Sequence, residues 1–197
     1  MPEVKVSRKS KETDITIIIQ FPGTGSSIIH TGVGFLDHML TLFSKHSGID
    51  IELQAQGDLE VDAHHTVEDV GICLGKACAQ LFTDIQKRNR FGHAVIPMDE
   101  ALSEVAIDLS GRPYLYFSAD LPRVKLGTFD IELTEEFFRA FSNHFKITLH
   151  ILLHYGKNTH HCIESIFKAC ARALAQALEE NSTYARNGSS TKGIIDS

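Results

Sequence analysis

Shifted by 96 residues, this chain overlays on itself. His64-His65-Thr66-Val67-Glu68 falls on His160-His161-Cys162-Ile163-Glu164, and Lys76, Ala77, Ala79 and Gln80 fall on Arg172, Ala173, Ala175 and Gln176. Upstream, Ile51 and Leu53 meet Ile147 and Leu149. Six identities across positions 64–80 stand against roughly one expected by chance, so one structural unit is used twice. The boundary falls near Lys87–Gly92, with halves at 1–90 and 91–186 and a polar tail at 187–197. The fold must therefore be one that two similar units can build.

The hydrophobic pattern assigns matching elements to each half. Ile15–Phe21 and Ser27–Thr31 are rich in β-branched residues and flank the turn Pro22-Gly23-Thr24-Gly25. Phe35–Lys45 carries Leu36, Met39, Leu40 and Phe43 on one helical stripe. Ile49–Ala55 alternates apolar and polar residues as a half-buried strand does, and His64–Leu81 reads as a second helix. The second half predicts strands at Ser103–Leu109 and Tyr114–Ser118 around Ser110-Gly111-Arg112-Pro113. A helix at Leu133–Asn143, a strand at Phe145–Leu153 and a helix at Thr159–Glu179 follow. Strands followed by helices, twice over, make an α+β fold built by internal duplication.

Composition narrows the function. At 43% hydrophobic and 22% charged, the 197-residue chain is of globular type. Its 25 acidic and 19 basic residues leave a net charge of −6, which argues against a nucleic-acid partner. No apolar run approaches the roughly 20 residues that span a bilayer, and the polar start MPEVKVSRKSKETD does not resemble a secretory signal. Cys73, Cys78, Cys162 and Cys170 form no CxxC pair and lie in helical segments. They are expected as reduced, buried thiols of a cytoplasmic protein. The outlying number is 11 histidines, with no tryptophan.

Both HHxxE motifs open helices. Glu68 lies three and four residues after the histidines, within reach of either ring. The adjacent rings, however, diverge by roughly 100° around a helix axis, so one ion cannot comfortably take both. Each motif then serves two metal centres, one ring apiece. The pooled set is His64, His65, Glu68, His160, His161 and Glu164. Nitrogen and carboxylate donors without thiolate suit Mn, Fe or Zn, and the order is not the HExxH of zinc proteases.

Further segments carry a family resemblance. GVGFLDHML (32–40), DAHHTVEDVG (62–71), RFG (90–92), DLSGRPYL (108–115), TLH (148–150), NTHHCIESIFKA (158–169) and SSTKG (189–193) occur together. In content and order they resemble the imidazoleglycerol-phosphate dehydratases over essentially the whole chain. The resemblance implies a four-stranded sheet plus two-helix unit used twice (ribosomal protein S5 domain 2-like), with helices packed between the sheets. It also implies dehydration of D-erythro-imidazole glycerol phosphate to imidazole acetol phosphate in histidine biosynthesis. Two Mn2+ ions per active site and a homo-oligomer of 24 subunits, with active sites at subunit interfaces, follow from the same likeness.

Carried onto this sequence, the implied metal ligands are His38, His64, His65, Glu68, Glu136, His160, His161 and Glu164. Glu136 is the second-half counterpart of His38, at a position where some family members carry His. Arg90, Arg112, Lys168, Ser190 and Lys192 are implied around the phosphate, with the tail ordering over substrate. Glu12 is implied at the reacting proton, with Glu68 and Glu164 as competitors. That proton is not activated by a carbonyl. Binding of the imidazole ring to metal favours its deprotonation and expulsion of the hydroxyl through a diazafulvene-like intermediate, with proton transfer by a placed acid or base.

Two other classes compete with the lyase: a non-catalytic dimetal assembly or storage protein, and a dimetal hydrolase. The phosphate-type cations and the Ser-Gly-Arg-Pro turn have no role in the first. His30, His46, His93, His144, His150 and His154 have no histidine counterpart in the other half and are expected as surface or hydrogen-bonded structural residues. Asp99 and Glu100 are left as unplaced acidic groups. The stripe Phe137, Phe138, Phe141 is expected as helical core.

Overall fold

A computed structural model describes residues 2–184; Ser190, Lys192 and the tail 187–197 lie outside the described residues. The first half runs β1 (Glu3–Lys9), β2 (Thr13–Gln20), β3 (Ser27–His30), α1 (Gly34–Ser47), β4 (Asp50–Gly57) and α2 (His64–Leu81). The second runs β5 (Phe91–Met98), β6 (Ala101–Asp108) and β7 (Tyr114–Ser118), then a small hairpin of β8 (Lys125–Leu126) and β9 (Phe129–Asp130). It closes with α3 (Leu133–Phe145), β10 (Thr148–Tyr155) and α4 (Thr159–Leu178).

Each half contributes one four-stranded sheet, ordered β1-β2-β4-β3 and β5-β6-β10-β7. In both, the pair at the far end is parallel (β3 with β4, β7 with β10) and the others are antiparallel. The alternation seen in sequence is what buries one face. Ile15, Ile17 and Ile19 of β2 and Ile51 and Leu53 of β4 point inward, as do Val105, Ile107, Leu149 and Ile151 in the second sheet.

The helices fill the space between the sheets, paired across the halves: α1 lies against α4 and α2 against α3. The α2–α3 contact is a close one. A Cβ on Gly71 or Gly75 of α2 would stand 2.7 Å from the carbonyl oxygen of Phe137 or Phe141 on α3. The helix backbones touch there, and only glycine fits. At the equivalent positions α4 carries Phe167 and Ala171, and the Phe167 ring packs on Phe137 and Phe138 at 5.4 and 4.8 Å. The phenylalanine stripe is core, as its spacing predicts.

Two expectations are corrected. β1 and β5 are absent from the hydrophobic pattern because neither carries a row of fully buried large apolar residues. β1 buries only Val6, and β5 fully buries only Gly92, which lies directly beneath Ala173 of α4. Phe145 belongs to α3 rather than to the following strand: the helix runs through it and stops at Lys146, whose φ of +60° turns the chain. The four cysteines are free and buried, and burial pushes the Cys73 thiol up to about 11. No helix among the described residues is long and apolar enough to cross a membrane.

Candidate active site

Both HHxxE motifs sit at helix N-termini whose first turns are fixed by local chemistry. The backbone N–H of His64 donates to Asp62 Oδ1 (2.7 Å) and that of His160 to Asn158 Oδ1 (2.9 Å). These side chains cap amides that have no partner within the helix. Asp62 and Asn158 occupy the same repeat position. Deeper in each helix the anchors differ. Asp69 of α2 is buried, accepting a hydrogen bond from Thr13 Oγ1 (2.5 Å) and paired by charge with Arg8, whose Nε lies 2.8 Å from Oδ1. Its counterpart on α4, Ser165, meets Ser103 of β6 at 2.6 Å.

The second HHxxE motif meets a residue of the first half to form a donor set. His38 of α1 and His160 of α4 both direct Nε2 at Glu164 Oε2, at 3.3 and 3.2 Å. The three ligand atoms lie within 4.8 Å of one another, and no other set of three such donors converges so closely among the described residues. His38 is aimed by its loop: Thr31 donates through both N–H and Oγ1 to Asp37 Oδ1 (3.0 and 2.6 Å), fixing the start of α1. The Phe35 ring stands edge-on to His160 at 5.1 Å. Lys168 closes the cluster, with Nζ 2.6 Å from Glu164 Oε1. Burial alone would raise the Glu164 pKa, but the Lys168 ammonium and His38 outweigh it and hold the carboxyl below its ordinary value.

The second ring of each motif points elsewhere, as the helix geometry predicts: His64 and His65 are nearly perpendicular at 6.0 Å, and His160 and His161 at 6.3 Å. His65 donates from Nδ1 to Asp58 Oδ2 (2.9 Å), and His161 from Nδ1 to Glu100 Oε2 (2.8 Å). A carboxylate on Nδ1 leaves Nε2 as the electron-pair donor, the arrangement that surrounds metal-bound histidines. The same contacts, Asp58 and Glu100 respectively, raise the pKa of each imidazole. Glu100 falls to about 2, held chiefly by His161 and by the amides of Asn158 and Lys157.

The sequence reading did not assign Asp58 or choose Glu100. A usable signal exists: Glu100 occupies the β5–β6 turn, as Glu12 occupies the β1–β2 turn. Glu12 lies with Oε1 4.0 Å from His65 Nε2, and Asp99 with Oδ2 3.8 Å from His161 Nε2. The equivalence is hidden in sequence because each turn is bordered by an edge strand that lacks the pattern.

Other expected site residues are not brought to the cluster within one chain. Glu68 is half-buried on the first turns of α2. Glu136 stands on the first turn of α3, 4.0 Å from Arg139 Nε. Arg90 and Arg112 lie at the opposite end of the second sheet, around Asp108. From Ala101 to Asp108 the eight residues of β6 extend roughly 25 Å, and α4 spans a similar distance between His160 and Ala177, which accepts from the Arg90 amide.

A duplicated α+β sandwich that gathers imidazoles and an ionised carboxylate at helix N-termini is a fold equipped to hold a metal ion. The family model of imidazoleglycerol-phosphate dehydratase matches residues 31–174. The imidazoleglycerol-phosphate dehydratase of Acetivibrio thermocellus is 54% identical over 191 residues, 97% of each chain. That of Gluconobacter oxydans is 50% identical over 97% of this chain and 96% of its own. The crystal structure of the Staphylococcus aureus enzyme superposes with a TM-score of 0.83 at 47% identity, covering 91% of this chain and all of the other. The Pyrococcus furiosus structure gives 0.83 at 36% identity, over 96% of this chain and all of its own. The chain belongs to the imidazoleglycerol-phosphate dehydratase family, which makes it a hydro-lyase of histidine biosynthesis acting on a phosphorylated imidazole.

Proposed function

We propose that the chain converts D-erythro-imidazole glycerol phosphate to imidazole acetol phosphate and water with two Mn2+ ions per active site. The observation that carries the metal part is the convergence of His38, His160 and Glu164, with Lys168 and His38 holding the carboxylate ionised. That donor set fits a divalent ion of borderline or hard character. His65 and His161, their Nδ1 atoms engaged by Asp58 and Glu100, supply further donors, joined by His64, Glu68 and Glu136. Bound there, the metal supplies Lewis-acid activation of the imidazole ring.

The protein groups divide the remaining work. Glu12, exposed beside His65 Nε2, moves the carbon-bound proton. Arg112 and Arg90 bind the phosphate through planar donor forks, and Lys168 adds a point charge. Because the two arginines lie roughly 25 Å from the metal cluster along β6, one chain cannot complete the site. A second copy brings its arginines to the first copy's metal, which supports a homo-oligomer with interfacial active sites.

Turnover of imidazole glycerol phosphate with added Mn2+, followed by chelation, tests the reading: activity appears with metal and disappears with its removal. No ketone product under saturating metal would overturn it. Glu12→Gln that retains metal yet loses under about tenfold in turnover removes Glu12 as the proton carrier, since such groups contribute 10²–10⁴-fold. Mixed assemblies of Arg112→Ala and Glu164→Gln chains recover activity that neither variant shows alone; no recovery would argue against sharing between copies.

A further inference from the structure

Arg90 and Arg112 stand around one carboxylate. Asp108, the last residue of β6, accepts from Arg90 Nε at 2.7 Å through Oδ1 and from Nη2 at 3.2 Å through Oδ2. Its Oδ2 also lies 3.9 Å from Arg112 Nη2. The Asp108 side chain is 19% exposed and that of Arg90 15%, so this two-point fork is shielded from water and salt.

The backbone of Arg90 is constrained as tightly as its side chain. Its φ is +70°, a left-handed conformation that side-chain-bearing residues avoid. Its amide donates to Ala177 O (3.1 Å) and its carbonyl accepts from Leu109 N (3.0 Å). Its guanidinium stands 4.9 Å from the Phe91 ring. Local strain held in place from several sides marks a residue whose direction is functional. Arg112 differs: its backbone is pinned by Ser110 Oγ and Thr148 Oγ1, but its side chain is 62% exposed. One arginine is set rigidly and the other is presented to solvent.

We infer that Asp108 is a positioning residue for phosphate recognition. It fixes the plane of the Arg90 guanidinium and draws Arg112 toward it, so that two cations stand together before the substrate arrives. Two guanidinium groups repel each other, and the shared carboxylate is what lets them share one place. Asp108 touches no reacting atom; its contribution is pre-organisation, which appears in ground-state binding. The inference rests on the assignment of these arginines to the phosphate made above.

Steady-state kinetics and inhibition by inorganic phosphate on the metal-loaded enzyme test it. Asp108→Asn keeps the shape and removes the charge. It raises KM and the phosphate inhibition constant together by about tenfold, the loss expected for charge-assisted hydrogen bonds, while kcat stays within about threefold. Asp108→Glu, which keeps the charge, recovers part of the loss. An unchanged or lowered KM in Asp108→Asn would overturn the proposal, since the carboxylate would then be inert or in competition with phosphate. A fall in kcat without a rise in the phosphate inhibition constant also overturns it, by showing a structural role. Arg112→Ala separates the two readings. If it leaves phosphate inhibition unchanged, the phosphate assignment fails. If it weakens inhibition and Asp108→Asn does not, only the positioning role falls.

Discussion

The two halves share a sheet order and a motif, yet they hold that motif by different means. Around the second-half motif, His160 and Glu164 converge with His38 from the first half; around the first-half motif, the counterparts Glu136, His64 and Glu68 form no such set of three within one chain. The α2 helix is anchored through buried Asp69 and its partners Arg8 and Thr13, whereas α4 uses the neutral pair Ser165 and Ser103. α2 meets α3 backbone to backbone at Gly71 and Gly75, whereas α4 carries Phe167 at the position equivalent to Gly71 and lays its ring on Phe138 of α3. What is common to both is the donor geometry: an Asx-capped first turn, two divergent imidazoles, and a carboxylate on the Nδ1 of the second. Duplication has left the chemistry alike and allowed the packing beneath it to differ.

The sharpest way to break this comparison is to remove one carboxylate at a time. Glu164→Gln lowers turnover by at least about 100-fold and reduces bound metal, as loss of a charged ligand should. Glu68→Gln matches it if both motifs serve equally; a loss confined to Glu164, read by metal content and kcat, would break the equivalence. One step out, Asp58→Asn and Glu100→Gln each weaken metal affinity by about 10–100-fold, the usual effect of removing a partner of a ligating histidine. Competition with a fluorescent chelator measures both, and unequal losses would show which half's site is more dependent on its support.

Stability separates the anchors. Asp69→Ala costs about 2–3 kcal/mol because a charge-assisted hydrogen bond and an ion pair are lost in a buried setting, whereas Ser165→Ala costs about 1 kcal/mol. Urea denaturation of the metal-free chains gives the comparison, and equal costs would remove the distinction between ionic and neutral anchoring. The smallest effect concerns the connections between strands. Asp50 accepts from the amides of Thr24 and Ser26, both at 2.8 Å, and so pins the β2–β3 connection. Its partial burial opposes ionisation, but the Ser26 and Thr24 hydrogen bonds prevail and lower its pKa. A lowered folded-state pKa contributes stability above the unfolded value of about 4 that is lost as pH falls through the folded one. Ser110 pins the β6–β7 connection with a hydroxyl instead. Acidification therefore speeds amide exchange in residues 24–26 before residues 110–112, and Asp50→Asn abolishes that difference.

The parts legible in the sequence were those that repeat or alternate. The HHxxE pair, the inward rows of β2, β4 and β6, and the stripe on α1 depend on spacing alone, and the structure places them in helices and sheets accordingly. β1 and β5 were hidden because they bury little: Val6 is the one core residue of β1, and Gly92 is the one fully buried residue of β5. Asp58 and Glu100 were hidden for another reason. They touch His65 and His161 from loops whose approach depends on sheet pairing, and no periodicity records that. Arg90 and Arg112 carry no information in sequence about their distance from the metal cluster; the length of β6, about 25 Å, is what separates them from it within one chain.

Glu100 joins three segments with one side chain. One oxygen accepts a hydrogen bond from His161 Nδ1–H, and the other accepts from the amides of Lys157 and Asn158 at the entrance to α4. If the far nitrogen of His161 holds the proposed cation, the metal would draw electron density from the ring and strengthen its hold on Glu100. The two amides share that acceptor, so their exchange with solvent deuterium becomes a gauge of occupancy. Lys157 and Asn158 thus offer a built-in reporter, readable by isotope labelling on the resting enzyme with no substrate present.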